Sequence, residues 1–312
     1  YADICGQEAA KRATMIAVAG MHNIMYIGPP GSGKTMMAKR IPSIMPDMTF
    51  DEKLAVTNIY SVAGQLGEYG GLVEDRPFRA PYHNVTKSSF FGGGMFPRPG
   101  EITLAGKGVL FLDEMVEFPR HVLEVLRQPL EDGEVVVSRT RNSIKYPAKF
   151  MLVGAMNPCP CGYLGDREKQ CICSEYQLQR YRSKLSGPLL DRIDLIINVP
   201  RLTTDELINT SSEAEPSAKI RERVIRARKL QAERYRNDGI LTNSELNARL
   251  IKKYCILDGK TANFLKTASQ KFHLSGRRYS RILKLSRTIA DLGGKENITL
   301  EDVTQALQYR EG

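Results

Sequence analysis

The sequence of 312 residues lacks any stretch near the ~18 uninterrupted apolar residues that a membrane-crossing helix needs, and it opens with no basic-then-apolar leader. Those absences leave a soluble, cytoplasmic chain as the expectation. Internal repeats and low-complexity tracts are missing too. Histidine is scarce, four in all, and neither His83 nor His121 has a neighbour at metal-ligand spacing. What is present is globular material. With 42% hydrophobic and 26% charged residues the chain can bury a core, and its length fits two domains of about 150 residues. Because it opens on Tyr1, with a helical pattern starting within a few residues, it reads as a piece cut from something longer.

Lys and Arg outnumber Asp and Glu by 45 to 35, a net charge of +10, which admits a polyanionic partner without requiring one. Residues 219–236 hold eight cations (Lys219, Arg221, Arg223, Arg226, Arg228, Lys229, Arg234 and Arg236) against two Glu. That segment reads as a nucleic-acid stripe or, equally, as a solvated helix face.

Along the chain, a helical pattern over 5–20 precedes a short buried strand at Asn23–Ile27, a Gly/Pro turn, and a helix from Lys34 to Arg40 stopped near Pro42. Further strands are predicted at Val109–Leu112, Phe150–Ala155 and Leu195–Val199, separated by helices such as Arg120–Leu130. This alternation predicts an α/β domain over residues 1–202, with a parallel sheet flanked by helices. Two strands around Thr140-Arg141-Asn142 predict a hairpin with a basic tip. Residues 203–217 have linker composition, and 218–312 are helical in pattern, with helices at 218–237, 243–255, 259–271 and 275–291 and a last one after Thr299, where Asp302 completes a capping box.

Gly28-Pro29-Pro30-Gly31-Ser32-Gly33-Lys34-Thr35 fits Gly-x4-Gly-Lys-[Ser/Thr], and it lies after a strand and before a helix, where loop amides can cradle phosphates. Lys34 would meet the β/γ-phosphates and Thr35 would ligate Mg²⁺. The apolar run Val109–Leu112 ends in Asp113 and Glu114, one carboxylate placed for Mg²⁺ and one to polarise water. Asn157, after the next strand, is placed to orient that water, its plainer reading being a turn former before Pro158. Arg192 stands at a helix-to-strand corner and Arg277 opens a C-terminal helix; each reads as a phosphate-seeking cation or as an ordinary salt-bridge partner. Cys159-Pro160-Cys161 and Cys171-Ile172-Cys173 provide four thiols for a structural Zn²⁺, with reduced thiols or a redox pair as the alternatives, while Cys5 and Cys255 read as packed residues. Phe90–Phe96 reads as a pore loop or base-stacking segment, or as an insertion packed on the core.

Gly6–Arg12, the phosphate loop, Arg98–Ile102, Leu112-Asp113-Glu114, Leu130–Glu134, Asn157–Gly162 and Ser186–Asp194 together resemble the AAA+ core of the Mg-chelatase-like ComM/YifB family, across nearly the whole chain. This family is related to magnesium chelatase and, more distantly, to MCM helicases. The resemblance implies a P-loop NTPase fold with a small helical lid and ATP with Mg²⁺ as ligands. It makes Lys34 and Thr35 Walker A, Asp113 and Glu114 Walker B, Asn157 sensor 1, Arg192 the arginine finger and Arg277 sensor 2. Residues 61–100 would be the helix-2 insertion and 133–147 the pre-sensor-1 hairpin, with Arg139, Arg141 and Lys145 touching DNA. The implied activity is an ATP-driven ring, hexameric when ATP-bound, that moves DNA irrespective of sequence in branch migration during natural transformation. A chelatase-type or chaperone-type remodeller of a protein client is the alternative, and a nucleotide-bound scaffold without turnover a third reading. Two departures stand out: the usual N-terminal domain resembling a Lon-protease fold is absent, and Pro81-Tyr82-His83 replaces Pro-His-His.

Overall fold

Short, wholly apolar runs such as Val109–Leu112 have no polar face to offer solvent, so they form strands only where both faces are covered. The computed structural model, which describes every residue except 2, 3, 5, 69, 94–97, 139–142, 204–214 and 310–312, covers them with helices. Helix α1 (Glu8–Gly20) leads to β1 (Ile24–Ile27), α2 (Lys34–Arg40), α3 (Phe50–Ala63) and β2 (Phe78–Arg79). Next come α4 (Lys87–Phe91), β3 (Gly92–Gly93), β4 (Arg98–Pro99), α5 (Glu101–Leu104), β5 (Val109–Leu112), α6 (Arg120–Glu124) and α7 (Arg127–Asp132). A hairpin of β6 (Glu134–Ser138) and β7 (Ser143–Pro147) precedes β8 (Met151–Met156), α8 (Glu175–Arg182), α9 (Gly187–Leu190) and β9 (Leu195–Asn198). The C-terminal helices are α10 (Ser217–Arg234), α11 (Ala248–Tyr254), α12 (Gly259–Lys271), α13 (Gly276–Leu292) and α14 (Leu300–Gln308).

Five strands form one parallel sheet in the order β2-β5-β8-β1-β9. Its edge strand β2 falls inside residues 61–100, so the segment expected as an insertion also contributes to the central sheet; only β3 and β4 pair apart from it. The helix expected over Arg120–Leu130 is two helices. Pro129 has no N–H to donate, and the chain restarts so that Pro129 falls in the first turn of α7, where none is needed. Likewise, 243–255 opens as a 3-10 turn at Asn243–Glu245 and becomes α-helical after Asn247, whose side chain accepts from the Leu250 N–H at 3.0 Å.

The small buried residues of α1, Ala10, Ala13 and Ala17, let α10 and α13 approach closely, and one apolar core runs from Ile24, Tyr26 and Val153 of the sheet to Ile220, Val224, Ile282 and Leu285 of the C-terminal helices. Each such large side chain contributes about 1.5–3 kcal/mol when fully buried. Polar contacts cross the same boundary: Gln231 Nε2 donates to Ala19 O at 3.0 Å, and His22 Nε2 meets Thr288 Oγ1 at 2.7 Å. The basic helix α10 meets this joint through Arg221, while Arg223 and Arg234 find partners beside the helix start and on α13. Arg221 donates to Met45 O at 3.0 Å and pairs with Asp47, Arg223 pairs with Glu215, and Arg234 grips buried Asp291 at 2.9 and 2.5 Å. Lys219, Arg226, Lys229 and Arg236 face solvent.

Candidate functional site

Because β5, β8 and β1 are adjacent and parallel, their C-terminal ends deliver Asp113, Asn157 and the loop 28–35 to one place. The loop needs its glycines: Gly33 has φ 90°, and a Cβ on Gly28 would lie 2.1 Å from Val199 O. The Lys34 ammonium is buried and donates to Gly28 O at 2.7 Å, Pro29 O at 2.8 Å and Asn157 Oδ1 at 3.3 Å. Thr35 Oγ1 donates to Asp113 Oδ2 at 2.8 Å, and Asp113 Oδ1 accepts the Glu114 N–H at 3.0 Å. Glu114 is exposed and adopts a left-handed backbone, φ 47° and ψ 46°, a conformation costing an ordinary residue about 1–2 kcal/mol.

Burial lowers the pKa of Lys34, and the carboxylates of Asp113 and Glu114 act against that shift. A polyphosphate fits this set. Ser32 Oγ is buried without a hydrogen-bond partner among the described residues, Lys34 holds its charge against neutral oxygens, and the Thr35 and Asp113 oxygens converge as a pair of Mg²⁺ ligands would. Bound there, Mg²⁺ would polarise phosphate oxygens and offset their charge.

The two predicted arginines lie elsewhere. Arg192 and Arg277 share one partner: Arg192 pairs with Glu131 and donates to Pro188 O at 2.7 Å, and Arg277 lies 3.7 Å from the other Glu131 oxygen. All three line a cleft of about 800 Å³ that also includes Asn23 and Phe150, which precede β1 and β8. That is the end of the sheet opposite the phosphate loop, so neither arginine serves the chain's own Lys34 site.

Residues 1–207 match the family model described as magnesium chelatase, subunit ChlI, and residues 214–310 match the one described as subunit ChlI C-terminal. The chain belongs to the magnesium chelatase family of AAA+ ATPases. It is 47% identical over 310 residues to the competence protein ComM of Haemophilus influenzae, covering 99% of this chain and 59% of that protein. It is 41% identical over 315 residues to YifB of Escherichia coli, covering 99% of this chain and 60% of that one. A ChlI homolog of Methanocaldococcus jannaschii is 22% identical, with 99% of this chain and 83% of that protein aligned. The chain thus spans about three fifths of the length of the ComM and YifB proteins.

Membership in this family carries ATP and Mg²⁺ with it, and the fold is the expected AAA+ parallel sheet with a helical C-terminal part. No helix among the described residues is long and apolar enough to cross a membrane. Of the residues expected to touch DNA, Arg139 and Arg141 lie outside the described residues, as do Cys5, most of the 203–217 linker and Met95–Phe96. Lys145 is described: exposed on β7, it donates to Glu134 at 2.8 Å across the hairpin, whose base is anchored by buried Val135, Val137 and Tyr146.

The four cysteines come together. Their sulfurs all lie within 4.8 Å of one another, an arrangement compatible with a metal ion. Sequence reasoning passed over several residues of the site. Tyr181 donates to Asn157 O at 3.2 Å, its pKa pushed up to about 12 by burial first and then by Glu117, Cys159 and Glu114, which keeps it a donor. Arg201 reaches Pro30 O at 3.2 Å. Glu131 stands in the Leu130–Glu134 motif, but its link to Arg192 bridges 61 positions and left no local signal.

Proposed function

We propose that the chain is the ATP-hydrolysing core of a ring-forming motor acting on DNA, as in branch migration during natural transformation. The observation that carries the reading is the split arrangement: Lys34, Thr35, Asp113 and Asn157 gather at one end of the sheet, while Arg192 and Arg277 sit together at the other. Such a site is complete only when a second copy brings its arginines to the first copy's phosphates, which is the reason for a ring. Within it, Lys34 holds the β/γ-phosphates, Thr35 and Asp113 hold the Mg²⁺, Asn157 orients the attacking water, and Glu114 draws its proton. Arg192 and Arg277 exchange Glu131 for the neighbour's γ-phosphate and meet the charge that develops there.

The DNA assignment is supported by the basic hairpin bearing Arg139, Arg141 and Lys145, whose exposed Lys145–Glu134 pair is weak enough for a phosphate to displace. It is also supported by likeness to a protein named for competence. Steady-state ATPase decides it, measured without polymer and then with single-stranded DNA, four-way-junction DNA or an unfolded protein, each at low and raised salt. DNA stimulation that fades with salt upholds the motor, because phosphate contacts release counterions. Stimulation by unfolded protein alone replaces it with a remodeller.

A further inference from the structure

The four-cysteine cluster sits directly against the phosphate loop. Cys159 Sγ lies 3.4 Å from Cys161 Sγ and 3.7 Å from Cys171 Sγ, and Cys161 Sγ lies 3.6 Å from Cys171 Sγ. A disulfide would bring two sulfurs to about 2.05 Å. Tetrahedral Zn²⁺ with bonds of about 2.3 Å would hold them about 3.8 Å apart, close to the spacing found. The Leu164 N–H donates to Cys159 Sγ at 3.3 Å, the sort of contact that steadies a ligating thiolate.

What this knot holds is the wall of the nucleotide site. Its first cysteine follows Asn157 by two residues, and its last leads through the Ser174 cap into α8, whose Tyr181 bonds back to Asn157 O. Between the cysteine pairs, Gly162 (φ 86°) rests on the loop so closely that a Cβ would come within 2.8 Å of Pro30 Cδ. Farther along, Asp166 and Glu168 lie 3.7 and 3.6 Å from Arg201, the residue that reaches Pro30 O. Among the described residues, segment 159–173 contains no helix or strand, and its path is set by the sulfur cluster together with local turns such as Asp166 accepting from the Glu168 and Lys169 N–H groups at 2.9 Å.

We infer that Cys159, Cys161, Cys171 and Cys173 bind one structural Zn²⁺ and that this ion shapes the phosphate loop, so that zinc and ATP bind cooperatively. The inference rests on the loop 28–35 being the nucleotide site. By linkage the coupling is reciprocal: whatever factor zinc adds to ATP affinity, ATP adds to zinc affinity.

The test uses the 312-residue chain as purified, with zinc measured by elemental analysis and affinity by titration with a fluorescent ATP analogue. We expect one zinc per chain, an ATP Kd about tenfold higher after a chelator strips the metal, recovery on adding zinc back, and slower zinc loss to the chelator in saturating ATP. Should Cys171→Ser with Cys173→Ser fail to fold, Gly162→Ala separates the effects, since it keeps all four sulfurs but pushes the wall off Pro30. It should retain zinc while its ATP Kd rises. A chain without zinc, or ATP binding unmoved by stripping, overturns the inference alone; zinc-loaded wild type that binds no ATP overturns the nucleotide reading beneath it.

Discussion

Replacing Lys34 with Met should abolish tight nucleotide binding and leave the fold almost as stable as before. The ammonium is buried, and it is held by two carbonyls and the Asn157 amide oxygen at 2.7, 2.8 and 3.3 Å, with no carboxylate in ion-pair reach among the described residues. Removing it forfeits charge-assisted hydrogen bonds of about 1.5–3 kcal/mol each but also ends the desolvation of a cation, and Met keeps the apolar stem. The buried loop carbonyls lose a donor while the cation's desolvation is relieved, and with the two opposed the net change in stability should stay within about 1 kcal/mol. Binding has no such compensation. A unit charge about 4 Å from a phosphate in an effective dielectric near 20 is worth about 4 kcal/mol, and at 1.4 kcal/mol per decade that is about a thousandfold in Kd. Allowing for salt, a loss of roughly 10²- to 10³-fold is expected. Titration with a fluorescent ATP analogue reads the first quantity and urea unfolding the second. A Kd raised less than tenfold, or stability reduced by more than about 2 kcal/mol, would refute the reasoning and make Lys34 a structural strut.

Three further outcomes can be checked. Glu114→Gln should keep ATP bound while turnover falls about 10²-fold or more, read by single-turnover hydrolysis beside an equilibrium binding assay; unchanged turnover would remove Glu114 from the role of base. Arg141→Ala with Lys145→Ala should leave basal ATPase intact and lower its stimulation by DNA, and equal stimulation would dismiss the hairpin as the contact. Glu245 ties the sheet domain to the C-terminal helices: burial alone would raise its pKa, but Lys149 at 2.6 Å and the Leu241 and Thr242 amides bring it below its ordinary 4.5. A carboxylate depressed in the folded state stabilises fully above its unfolded pKa and loses that contribution as pH falls through the folded one. Thermal melts should therefore show an acid-side loss below about pH 4.5 that Glu245→Gln flattens, and superimposable profiles would count against the tether.

The phosphate loop was legible because its chemistry is local: eight consecutive residues carry the glycines, the lysine and the hydroxyl. The apolar runs of β5 and β8 announced a covered parallel sheet for the same reason. Strand β2 escaped notice because two residues, Phe78 and Arg79, show no periodicity, and nothing local says that they pair with Val109 and Leu110. The arginines were found by motif, but their shared grip on Glu131 and their place opposite the loop depend on how the chain winds, which no window of sequence contains. The cations of α10 teach the same lesson from the other side. Whether Arg221 or Arg234 faces water or an acid was decided by what another part of the chain brings alongside, exposed Asp47 in one case and buried Asp291 in the other.

The common core of α1, α10 and α13 has a mechanical consequence. Buried side chains at organic-crystal density resist shear, and the shared core joins the sheet to the C-terminal helices as one stiff unit. In the ring proposed above, the compliant joints would lie between one copy and the next, and the stroke would be a tilt of whole subunits. Strain released at Lys34 in one copy would then be felt first at Arg192 and Arg277 of its neighbour, on the far end of a rigid arm.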